Sequence, residues 1–153
     1  MNKIYLIINK NNCMGCHACE IACKQENELT VGPRLIRVIE QSPDFNPIYC
    51  HHCANPLCKN VCPVEAIIIN ELGIVLIDNN ICNGCRECIE ACPFGAMQFN
   101  EKKKVAVKCN LCIERLKYDK QPSCMSVCPT KCIQLGGVKN IANLFERKTE
   151  FND

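Results

Sequence analysis

Tryptophan is absent from the 153-residue sequence, and phenylalanine and tyrosine number only five and three. Aromatic side chains carry much of the burial in ordinary cores. A chain this size, if divided into small lobes, therefore has little apolar material with which to stabilise itself. No apolar run approaches the roughly 18 residues needed to cross a bilayer. The longest, Ala66 to Ile77, is interrupted by Asn70, Glu71 and Gly73, so no direct membrane span is expected. No secretory leader is expected at the start, where Ile4 to Ile8 is too short an apolar run, no small-residue cleavage site follows it and no twin-arginine pair is seen. A nucleotide-binding glycine loop and a nucleophile–base pair are also missing, which leaves no catalytic site of the chain's own.

What is abundant is cysteine: 17 residues, above the roughly 8–10% that marks a special class. Secreted disulfide scaffolds and intracellular metal proteins both reach this density. The expectation of no leader argues against the first, as do the tight gaps between cysteines. Four groups divide the sequence. Cys13, Cys16, Cys19 and Cys23 have gaps of two, two and three residues; Cys50, Cys53, Cys58 and Cys62 have gaps of two, four and three. Cys82, Cys85, Cys88 and Cys92 repeat two, two and three; Cys109, Cys112, Cys124 and Cys128 have two, eleven and three. Pro63, Pro93 and Pro129 follow the last cysteine of three groups. The unit is an internal repeat.

Three closely spaced thiolates can wrap three iron corners of a [4Fe–4S] cubane, while a fourth cysteine one helical turn further on faces elsewhere. In bacterial two-cluster ferredoxins the C-x2-C-x2-C-x3-C-P run sends that fourth cysteine to the other cluster, so the groups are used in pairs. Zinc, the competing metal, takes two-plus-two spacing and has no need of the third loop cysteine. A Rieske centre needs two histidines in place of two cysteines, but every group already has four cysteines. His17, His51 and His52 are accordingly read as local hydrogen-bond donors. Cys132, the seventeenth cysteine, has no group of its own and is read as a buried free thiol.

The formal net charge is +2 with thiols counted neutral. Four cubanes at about −2 each bring the loaded chain to about −6, which removes the argument for nucleic acid as a partner. Lys24, Lys59, Lys104 and Lys108 then offset cluster charge or lie solvated. Strands are predicted over 3–8, 34–40, 66–70, 74–78, 96–100 and 104–108, with the last four forming two hairpins. Short helices are predicted after the third cysteines, as over 19–28 and 88–92. The segment 140–151 reads as an amphipathic surface helix or partner-docking arm.

From about residue 3 to 137, CMGCHACEIACKQEN (13–27), YCHHCANPLCKNVCPVEAI (49–67) and KCNLCIERLKYDKQPSCMSVCP (108–129) resemble a known family. It comprises the four-cluster [4Fe–4S] ferredoxin-like electron-transfer subunits of molybdenum and tungsten oxidoreductases and related complexes. The resemblance implies an α+β fold of two ferredoxin-like lobes with short β-hairpins and helices, one lobe inserted in the other. Residues 1–47 plus 101–153 would form the outer lobe and 48–100 the inserted one. It implies that groups one and four pair, as do two and three. Cluster 1 would take Cys13, Cys16, Cys19 and Cys128; cluster 2, Cys23, Cys109, Cys112 and Cys124. Cluster 3 would take Cys50, Cys53, Cys58 and Cys92; cluster 4, Cys62, Cys82, Cys85 and Cys88. Some relatives lack a group-three cysteine and hold a [3Fe–4S] centre; Cys85 is present here, so four cubanes are expected. The implied partners are a large catalytic oxidoreductase subunit, of formate dehydrogenase, aldehyde oxidoreductase, hydrogenase or carbon monoxide dehydrogenase type, and a further electron donor or acceptor. The alternative is a freely diffusing polyferredoxin. Because the sequence stops soon after group four, a minimal cytoplasmic member is expected.

Overall fold

Cysteine groups that recur every few tens of residues leave room only for short elements. A computed structural model describes residues 3–137, so the predicted arm over 140–151 lies outside the described residues. The strands form four antiparallel two-stranded sheets. β1 (Tyr5–Ile8) pairs with β8 (Ile133–Gly136), Tyr5 opposite Gly136 and Ile8 opposite Ile133. β2 (Ile36–Gln41) pairs with β3 (Asp44–Tyr49), β4 (Ile67–Ile69) with β5 (Val75–Ile77), and β6 (Gln98–Asn100) with β7 (Val105–Val107). Five helices interleave: α1 (Ala18–Glu26), α2 (Leu57–Asn60), α3 (Glu87–Ala91), α4 (Ile113–Lys117) and α5 (Ser123–Val127).

The two central hairpins stand where the β-branched runs put them. In the first, the Asn70 side-chain oxygen accepts from the Leu72 and Ile74 N–H groups at 3.1 and 2.8 Å and closes the turn. Two strands were not foreseen. Pro43 and Pro47 argue against a strand over 44–49, but β3 lies in a two-stranded ribbon, where one edge is free and a missing N–H costs no ladder bond. Pro47 sits opposite Val38 there. β8 has only a short alternating signal and exists because β1 reaches it from the other end of the chain. The expected boundary between residues 47 and 48 falls inside β3.

The short helices begin one residue before each third cysteine, close to where they are predicted, and α4 occupies the eleven-residue gap of group four. α1 packs on α5, and α2 on α3. Apolar burial divides into two clusters. The larger includes Ile4, Leu6, Ile36, Ile74, Leu111 and Ile133 together with Cys19, Cys23, Cys109, Cys124, Cys128 and Cys132; the smaller gathers Ile67, Val75, Met97 and Ala106 around Cys88. Cysteines thus occupy places that aromatic side chains fill in ordinary cores. Among the described residues no helix is long and apolar enough to cross a membrane.

Candidate metal centres

Each loop of closely spaced cysteines is bent by a residue in the left-handed region just before its second cysteine: Gly15 (φ 69°), His52 (46°), Gly84 (75°) and Leu111 (55°). Such turns direct successive N–H groups into a concavity that attracts anions. Two of the four positions demand glycine sterically as well. A Cβ on Gly15 would lie 2.2 Å from the Phe45 ring, and one on Gly84 would lie 2.4 Å from the Lys104 carbonyl oxygen. Backbone N–H groups already reach sulfur: His52 to Cys50 Sγ at 3.4 Å, Leu111 to Cys109 Sγ at 3.4 Å, and Ala66 to Cys62 Sγ at 3.3 Å.

Three concavities open among the thiols. The first is lined by Cys13, Cys16, Cys19, Cys128 and Cys132. The second is lined by Cys50, Cys53, Cys58 and Cys92, and the third by Cys62, Cys82, Cys85 and Cys88. The remaining four, Cys23, Cys109, Cys112 and Cys124, are all buried. They lie close enough that ionised Cys109 and Cys112 would each oppose ionisation of both Cys23 and Cys124. Every set mixes distant parts of the sequence.

Burial dominates the acidity of these thiols. It pushes Cys19, Cys23 and Cys109 up to about 12 and Cys88 up to about 11, and it raises Cys124. Such thiols ionise at neutral pH only when positive charge is brought to them, which bound iron supplies. A single metal ion at about 2.3 Å from each sulfur would need a tight knot of ligands. Among the described residues no three His, Cys, Asp or Glu side chains converge in that way. Four thiols lining a shared concavity, with N–H groups turned toward sulfur, fit a cubane.

Cys128 is the exception in acidity. Burial alone would raise it, but hydrogen bonds from the Thr130 and Cys132 side chains and from the Cys132 and Ile133 backbone bring it down to about 7. Burial pushes Cys132 the other way, up to about 11, and the two sulfurs lie 3.5 Å apart, within hydrogen-bonding reach. The seventeenth cysteine is buried, as the sequence suggested, but it borders the first cavity.

Two histidine expectations need correction. His52 is fully buried, and its Nδ1 accepts the Val75 N–H at 3.1 Å, so it acts there as an acceptor. Burial, then the positive charge of Lys108 and Lys3, lowers its pKa to about 2. His51 packs between Tyr49 and Phe94 with ring centroids 4.8 and 3.9 Å away. His17 does donate, to Glu20 at 3.0 Å. The lysines divide: Lys104 is exposed and pairs with Glu101, and Lys59 is exposed, but Lys108 is buried.

Glu20 gives no signal in the sequence, since an acid beside a cysteine has no distinguishing spacing. It is buried on α1 and accepts from the Val38 N–H (2.6 Å), Arg34 (2.8 Å) and His17 (3.0 Å). Burial would push its carboxyl up; these three donors more than offset that and hold it below 4.5. The carboxylate fastens the first cysteine loop to β2.

Two family models, both described as 4Fe-4S dicluster domains, match residues 12–66 and 41–138. The thiosulfate reductase electron transfer subunit of Salmonella typhi is 36% identical over 146 residues, covering 88% of this chain and 76% of that one. One subunit of the anaerobic dimethyl sulfoxide reductase of Escherichia coli is 34% identical over 150 residues, covering 88% and 73%. One subunit of the polysulfide reductase of Wolinella succinogenes is 35% identical over 149 residues, covering 90% and 78%. Two dicluster matches, the reductase subunits and the cysteine content agree on four [4Fe–4S] clusters. The chain is thus a member of the four-cluster [4Fe–4S] ferredoxin-like family of electron-transfer subunits.

Proposed function

We propose that the chain relays single electrons between a molybdenum- or tungsten-containing catalytic subunit and a further redox partner in the cytoplasm. The three relatives named above are subunits of reductases acting on thiosulfate, dimethyl sulfoxide and polysulfide by name, which supports a reductase as the catalytic partner. The four sulfur sets described above are proposed as the ligands of clusters 1 to 4 in the pairing that the family resemblance implies. When bound, each cluster supplies a one-electron redox site whose potential depends on charge, hydrogen bonds and exposure. The protein's own residues set those conditions: the left-handed turns aim N–H groups at the sulfurs, and the apolar clusters keep water away.

One observation carries the reading. Of the 17 cysteines only Cys16 and Cys85 are exposed, one in the first cavity and one in the third, while the Cys23–Cys109–Cys112–Cys124 set is buried throughout. That gives two surface openings for partners and a shielded middle. The proposed inserted-lobe arrangement has support from the pairing of β1 with β8 and of α1 with α5, which joins the two ends of the chain, and from the packing of α2 on α3 between them.

Anaerobic purification from the native cell tests the proposal. The chain is expected to elute with a large catalytic subunit and to hold about sixteen iron and about sixteen acid-labile sulfide. Elution alone at 17.2 kDa would favour a freely diffusing polyferredoxin. Stoichiometric zinc without sulfide would overturn the ligand sets. Removing the iron should unfold the chain, because its apolar core is thin.

A further inference from the structure

Lys108 is the buried lysine among the described residues, 5% exposed, and among those residues it forms no ion pair. Its Nζ donates instead to two backbone carbonyls, those of Val75 and, at 2.9 Å, Cys109. An ammonium removed from water without a counter-charge carries a large desolvation cost, and neutral carbonyl oxygens only partly offset it. The two carbonyls belong to segments that border two of the proposed cluster sites. Cys109 belongs to the wholly buried set with Cys23, Cys112 and Cys124. Val75 lines the cavity of Cys50, Cys53, Cys58 and Cys92. Lys108 therefore bridges two proposed cluster sites contributed by different cysteine groups.

The other nearby positive or polar groups do not fill this role. His52 spends Nδ1 on the Val75 N–H and is neutral. Lys3 is only partly buried, so solvent screens it. A cubane with four thiolates carries about −2 and gains another negative charge on reduction. A fixed cation between two such sites stabilises the loaded state and stabilises the reduced state further.

We propose that Lys108 is the shared counter-ion of the two inner clusters, holding both at a higher reduction potential than they would otherwise have. The proposal rests on the ligand sets assigned above. It places one fixed positive charge between the two centres in the middle of the relay.

The test is an EPR-monitored redox titration of the anaerobically purified full chain, as wild type, Lys108→Met and Lys108→Arg. About sixteen iron in the wild type is checked first, since a failure there would fell the ligand sets and not the counter-ion. In Lys108→Met, two of the four midpoint potentials should fall by at least tenfold in the reduction equilibrium, about 59 mV for one electron. Lys108→Arg, which keeps the charge, should restore both. Four unchanged potentials, or a shift in a single centre, would overturn the proposal. If Lys108→Met cannot hold its clusters, loss of two together, leaving about eight iron, with full content in Lys108→Arg supports it. Loss of all four, or equal loss in Lys108→Arg, overturns it.

Discussion

Replacing Glu20 by alanine removes the carboxylate that fastens the first cysteine loop to β2. The largest consequence is at Val38, whose buried N–H loses its acceptor, at a cost of about 1–3 kcal/mol. Arg34 and His17 are 46% and 45% exposed, so each lost pair adds no more than about 1 kcal/mol after solvent screening. The total is roughly 1–5 kcal/mol. If iron leaves the first cavity when α1 parts from β2, about 2 kcal/mol alone corresponds to about a 30-fold faster release. The assay is anaerobic iron release to a chelator in mild urea, followed by absorbance and by iron counted per chain. The sign with pH is fixed by the depressed carboxyl. Its stabilisation is present above the unfolded value near 4.5 and is lost as pH falls through the lower folded value. The gap between wild type and Glu20→Ala should therefore be constant above about pH 5 and close on further acidification. Glu20→Gln, which cannot ionise, should lack that acid step. An alanine variant that releases iron at the wild-type rate would refute the account of how this loop is held.

Three further outcomes are expected. Cys132→Ala should keep full iron content and all four EPR-active centres, since Cys132 neighbours Cys128 at the edge of the first cavity rather than replacing it; loss of one centre would mean that Cys128 is not the ligand. Gly84→Ala should be more damaging than Gly15→Ala, because its added Cβ meets the Lys104 backbone oxygen and the other meets a side-chain ring. Equal iron content and thermal stability in the two would contradict this. Cys85→Ser should still assemble with its partner and reduce a dye directly at the catalytic subunit, but fail with the physiological acceptor. Cys16→Ser should instead isolate the catalytic subunit from the relay; the opposite pattern would reverse the polarity, and normal turnover in both would end the linear relay.

The cysteine spacing exposed the metal class in the sequence because cluster chemistry fixes residue type and interval together. The hairpins over 66–78 and 96–108 were legible for a local reason: both strands and the turn lie within about a dozen residues. β8 was hidden because its partner is more than a hundred residues away, and β3 because Pro43 and Pro47 signal against a strand unless the sheet is known to have only two members. Lys108 and Lys104 look alike in sequence, four residues apart in a basic run. Only the packing of β5 against the group-four loop separates the buried cation from the solvated one. Glu20 and Cys132 share that limitation: each is defined by what folds onto it from elsewhere.

The pairing of β1 with β8 also imposes a schedule on biosynthesis. A ribosome adding about 5–20 residues per second delivers β8 roughly 6–25 seconds after β1. The hairpins β4–β5 and β6–β7 are complete well before then, since each closes within about ten residues of its own start. The earliest part of the chain is thus the last to find its place, and the thiols of the first loop wait in the open while the middle of the molecule is already shut. Oxygen or an iron shortage during those seconds would strike the first cavity and the Cys23–Cys109–Cys112–Cys124 set together, since both wait for group four, so chains damaged in assembly should keep the two centres proposed within residues 50–92 and lack the other two.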